Sequence, residues 1–116
     1  MTFSEFEKAR YTKLLTSFVD KRRPPAHLRA KVDLAFRVTE RSVEIFEVRP
    51  AYLGKPGELM ESPVAKSTFV QSRNAWKLYW MRQDLKWHSY EPNPYFKSIE
   101  EVIEVVDRDE MCCFFG

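Results

Sequence analysis

The chain has 116 residues, 44% hydrophobic and 31% charged, with 19 Lys and Arg against 17 Asp and Glu for a net charge of +2. This composition suits one globular domain, 1–116, and leaves no room for a second. No uncharged run approaches the roughly 20 residues that span a bilayer, and Glu5, Glu7, Lys8, Arg10 and Lys13 stand where a secretory signal needs an apolar stretch, so a cytoplasmic protein with no membrane partner is expected. With glycine only at Gly54, Gly57 and Gly116, neither a P-loop nor a dinucleotide fingerprint can be written.

The first element is an amphipathic helix over Thr2 to Asp20, where Phe6, Tyr11, Leu14, Leu15 and Phe18 recur at helical spacing. Pro24 and Pro25 end it, and the basic run Lys21, Arg22 and Arg23 before them complements the negative end of the helix dipole. A short helical turn follows through His27 and Leu28. From Val32 the period changes to two, with Val32, Leu34, Phe36 and Val38 on one side. After a turn near Glu40 and Arg41, a returning strand from Val43 to Val48 sets Val38 opposite Val43, Phe36 opposite Ile45 and Arg37 opposite Glu44. Residues Pro50 to Pro63, holding Gly54, Pro56 and Gly57, read as a long loop.

Three strands then form a meander: Val64 to Ser72, Trp76 to Arg82 and Lys86 to Glu91, joined at Arg73-Asn74 and Gln83-Asp84. Two-residue turns put Phe69, Trp76, Leu78, Trp80, Leu85 and Trp87 on one face. The other face then collects Lys66, Thr68, Val70, Lys77, Tyr79, Met81, Lys86, His88 and Tyr90. Ser98 and Glu101 form a capping box that opens a second helix through Ile99, Val102, Ile103 and Val106. The apolar end, Met111 to Phe115, is expected to dock on the body. The fold class is α+β: an N-terminal helix, a five-stranded antiparallel sheet made of one hairpin plus a three-stranded meander, and a C-terminal helix with a docked apolar tail. Both helices cover the Trp-rich face.

The succession Arg23-Pro24-Pro25-x-His27, Pro63-Val64-Ala65-Lys66, Trp76-x-Leu78-Tyr79-Trp80, Leu85-Lys86-Trp87-His88-x-Tyr90-Glu91-Pro92 and Cys112-Cys113-Phe114-Phe115-Gly116 resembles the bacterial family called domain of unknown function 3024. The resemblance runs from about Lys21 to Gly116. It implies a small bacterial protein of this length and brings no catalytic residue, ligand or cofactor with it. That family's tail usually has one cysteine ahead of its aromatics, where this chain has two side by side.

Charge is divided unevenly. Residues 1–97 carry 18 basic and 11 acidic side chains, and residues 98–116 carry 1 and 6. Either the acidic end neutralises Lys and Arg of its own chain, or a basic surface stays open to an anionic partner. The candidate site is the polar-aromatic sheet face: Lys66, Lys77, Tyr79, Lys86, His88 and Tyr90, where rings stack on bases and cations track phosphates. The expectation is a non-enzymatic binding or accessory module for single-stranded nucleic acid or a nucleotide-like anion, with no cofactor. A homodimer through the same face is the alternative, and a solvated face with no partner is the plain structural reading. Adjacent Cys112 and Cys113 cannot close a disulfide without strain, which excludes a disulfide scaffold. Vicinal cysteines seldom both reach one ion, so no metal site is expected from them with His27 and His88. A thiol enzyme pairing Cys112 or Cys113 with His88 is the distant third reading and requires the tail to fold back beside the sheet.

Overall fold

The computed structural model describes every residue except Met1, Tyr52 and Gly116. Its elements are α1 (Glu5–Arg22), a short 3-10 turn (Ala26–Leu28), β1 (Asp33–Val38), β2 (Ser42–Pro50), β3 (Leu59–Val70), a second 3-10 turn (Gln71–Arg73), β4 (Ala75–Met81), β5 (Trp87–Ser89), β6 (Tyr95–Phe96) and α2 (Ile99–Arg108). The strands form one antiparallel sheet in the order β1-β2-β3-β4-β5, with β6 also paired to β4. The α+β class holds, and the sheet gains a sixth strand of two residues.

Helix α1 starts at Ser4, whose hydroxyl accepts from the Glu7 N–H while the Glu7 carboxylate accepts from the Ser4 N–H. Its buried stripe is Tyr11, Leu15, Phe18 and Val19. Phe6 is off that stripe and 78% exposed; Phe3, ahead of the helix, fills the place instead, packing on Tyr11 and Trp76 with ring centroids at 4.9 and 5.5 Å. Strands β1 and β2 pair in the expected register: Val38 faces Val43, Arg37 faces Glu44 and Phe36 faces Ile45.

The expected loop from Pro50 to Pro63 is shorter than the sequence suggested. Strand β2 runs to Pro50 and β3 begins at Leu59, leaving residues 51–58 as the connection. Both prolines are accommodated because Pro50 ends its strand and Pro63 lies where the β2–β3 register shifts, between Ile45 and Phe46.

Both helices lie on one face of the sheet. Leu15 of α1 and Ile99, Val102 and Val106 of α2 meet Val43, Ile45, Ala65 and Leu78, and Tyr11 stands edge-on to Trp76 at 5.1 Å. The basic run at the end of α1 is structural. Arg22 donates to the Asp107 carboxylate and carbonyl, both at 2.8 Å, while Arg23 clasps Asp33 with two hydrogen bonds of 2.9 and 2.7 Å. Those Arg23 hydrogen bonds hold the Asp33 carboxyl below the usual carboxylate range. A lowered folded-state pKa stabilises above the unfolded value, about 3.9, and the contribution fades as pH falls through the folded value. Asp33→Asn is therefore expected to lower the Tm by a few degrees at pH 7, with the difference from the parent shrinking as the pH of a series of melts falls below the unfolded value.

The tail docks. The Asp109 backbone is left-handed (φ 46°), and its carboxylate accepts the N–H groups of Phe114 and Phe115 at 3.0 and 2.8 Å. Phe114 is buried against Tyr90, and the Arg22 guanidinium lies 3.8 Å from the Phe115 ring centroid. Met111 and Cys112 remain exposed, and Gly116 lies outside the described residues.

Candidate functional site

The sheet face away from the helices is a grid whose rows follow from the strand registers. One row reads Ser42, Thr68, Lys77, Tyr95; the next reads Glu44, Lys66, Tyr79, Ser89; a third sets Met81 beside Trp87. Residues directly opposite one another in an antiparallel ladder share a face, so these side chains stand together. Lys66, Lys77, Tyr79, Trp87 and Tyr95 are all partly exposed.

Lys77 is the centre of the grid. Its ammonium nitrogen lies 5.3 Å from the Tyr79 ring centroid and 5.7 Å from that of Tyr95, so one cation sits between two phenols. Arg73 reaches from the β3–β4 connection to 4.4 Å from the Tyr95 ring. Among the described residues, Lys66, Arg73 and Lys77 form no ion pair. Acids do reach the far side of this face: Arg37 pairs with Glu44 at 3.6 Å and with Glu61, and its guanidinium caps the Phe46 ring at 4.5 Å.

The acidic end of the chain goes elsewhere. Glu100 takes Arg10, and Asp107 takes Arg22 and, at 3.8 Å, Lys21. Acids from α2 thus offset cations of α1. Helix α2 neutralises the helix layer, while Lys66, Lys77 and Arg73 lie outside its reach on the sheet side.

Three of the six expected site residues, Lys66, Lys77 and Tyr79, share this face. The other three do not. Lys86 sits exposed in the β4–β5 turn, off the ladder. His88 pairs with Trp80 and so turns to the helix side, where its Nε2 meets Asp84 at 2.8 Å. Tyr90 is buried on the same side at 5% exposure, against Phe114. The cause is one residue of turn length. A two-residue turn would pair Met81 with Lys86, but Leu85 adopts a left-handed conformation (φ 62°), and the Arg82 N–H donates to the Lys86 carbonyl, so Met81 pairs with Trp87. Trp87 is thereby moved from the expected core face to the open one, and Leu85 is left 80% exposed.

Three contributors lie outside the expected set: Arg73, read only as part of a turn, Trp87 and Tyr95. Trp87 was placed on the wrong face, and Tyr95 belongs to a two-residue strand between Pro94 and Lys97, too short for any periodicity to show. That strand is held on the β4 edge by pairing with Trp76 and Lys77 and by the Pro94 carbonyl, which accepts the Leu78 N–H at 2.9 Å.

The tail does fold back beside the sheet. His88 and Cys113 line a common open groove of about 330 Å³ with Trp80, Arg82 and Met111. Burial, then the charge of Asp109, pushes the Cys113 thiol up, which favours the protonated form over the thiolate that a nucleophile requires. Hydrogen bonding to His88 holds the Asp84 carboxyl below its usual range. Among the described residues, no group of three or more His, Cys, Asp and Glu side chains is placed to hold a metal ion. His27 is exposed on the 3-10 turn at the far end of α1. No described helix is long and apolar enough to cross a membrane.

No curated protein and no solved structure matches the chain. The family described as Domain of unknown function (DUF3024) matches residues 3–116, nearly the whole length and every element of the sheet and both helices, and the chain belongs to that family.

Proposed function

We propose that this protein is a non-enzymatic binding module, acting in the cytoplasm, whose open sheet face takes an anionic partner of the single-stranded nucleic acid type. The observation that carries the reading is the Lys77 ammonium lodged between Tyr79 and Tyr95, with Lys66 and Arg73 beside it and none of the three cations in an ion pair among the described residues, although Glu44 is the cross-strand neighbour of Lys66. Exposed rings offer stacking platforms and unpaired cations offer phosphate contacts, which is the combination a single strand needs.

Fluorescence anisotropy of a labelled oligothymidylate tests the reading. Engagement of three cations gives a log–log salt slope of about −2, or roughly 20-fold weaker binding between 50 and 200 mM salt. Lys66→Ala with Lys77→Ala is expected to weaken binding at least tenfold and to flatten that slope, with the Tm nearly unchanged because both side chains are partly exposed. Binding that is equal in the double variant overturns the reading.

Homodimerisation through the same face is the second reading, favoured by the Met81 and Trp87 pair, which adds apolar area at one end of the grid. Light scattering separates the two, since a dimer held by apolar area persists in high salt while nucleic-acid binding does not.

A further inference from the structure

The grid specifies more than an anionic face, and this step rests on the reading just proposed. We infer that the occupant is an unpaired strand of at least three nucleotides, lying along β4 with one base on each of Tyr95, Tyr79 and Trp87. Tyr95 stands opposite Lys77, Tyr79 is two residues further along β4, and Trp87 stands opposite Met81, two residues further again. Strands β5 and β6 lie on the same flank of β4, so the three rings form a shallow zigzag. Diagonal neighbours of this kind are about 7 to 8 Å apart in a sheet.

That interval decides the form of the ligand. Nucleotides stacked in a duplex rise about 3.4 Å per step on each strand. Bases carried on successive rings at twice that interval cannot stack on one another, so each must stack on its own side chain, and a rigid duplex cannot match the row. The cations agree with this geometry: Lys77 lies between the first two rings, and Lys66 is directly beside Tyr79. Arg73 extends the basic track past the Tyr95 end. The contacts invoked are made to bases and phosphates rather than to the sugar, so deoxyribose and ribose strands are both accepted.

The test is a length series on the intact protein, with oligothymidylates and oligouridylates of one to six nucleotides titrated at 50 mM salt. Affinity is expected to rise about tenfold for each of the first three nucleotides and only slowly thereafter, given the usual strength of base–ring stacking. Tyr79→Leu, Tyr95→Leu and Trp87→Leu should each cost about one step of that series, while Tyr79→Phe and Tyr95→Phe should bind like the parent. The parent length series stands whether or not any variant folds. A mononucleotide that binds as tightly as the trimer, with binding still sensitive to Lys66→Ala and Lys77→Ala, overturns the three-base row and spares the anion-site reading. A duplex bound as tightly as the single strand does the same. Absence of binding to every oligomer overturns both.

Discussion

Trp76→Ala is expected to cost about 3 to 5 kcal/mol, the usual range for removing a large buried aromatic. Trp76 is 3% exposed and stands at the meeting point of three elements, with Phe3 at 5.5 Å, Tyr11 at 5.1 Å and Phe69 at 5.5 Å between ring centroids. Its removal leaves a cavity and also breaks the edge-to-face pair with Tyr11 and the tilted contact with Phe3 that tie α1 and the chain ahead of it to the sheet. At roughly 4 °C per kcal/mol for a domain of this size, the Tm should fall by about 12 to 20 °C. Trp87→Ala provides the contrast, because Trp87 stands partly exposed on the open face and should lower the Tm far less. Equal losses from the two substitutions would show that β5 is not in the register described.

Deletion of residues 111–116 is the second large effect. Phe114 is buried against Tyr90, and burying a phenylalanine stabilises by roughly 1.5 to 3 kcal/mol. Phe115 adds its stack under Arg22, and two backbone N–H groups bound by Asp109 leave with the segment. The total is expected to be about 3 kcal/mol or more, read as a drop in denaturation midpoint with little change in the shape of the transition. Phe114→Ala alone should account for most of it. A truncated chain that unfolds at the same denaturant concentration as the parent would mean the tail contributes nothing.

Much of this architecture was legible because its signals were local or repeated. The α1 stripe, the Val38–Val43 and Phe36–Ile45 pairings and the Ser98 cap follow from spacing and from side-chain chemistry alone. The meander shows where such reading stops. Between β3 and β4 the connection has four residues, Gln71 to Asn74, where two were expected; the register moved by an even number, and Phe69, Trp76, Leu78 and Trp80 kept their face. Between β4 and β5 it moved by one, and Trp87, His88 and Tyr90 all changed sides. The deciding residue is a leucine with positive φ, a conformation that leucine rarely adopts and that no turn motif announces. Phe6 failed for a different reason: its spacing from Tyr11 is five residues, outside the stripe that the other apolar residues define.

The turn that carries Leu85 also bears on how such a surface diversifies. Losing a single codon there would reverse the presentation of β5, withdrawing the indole and bringing the imidazole forward, while the buried layer formed by the other strands and both helices stayed as it is. The set of side chains this face presents can therefore change by a length change in one hairpin, a route much shorter than remodelling the grid one side chain at a time.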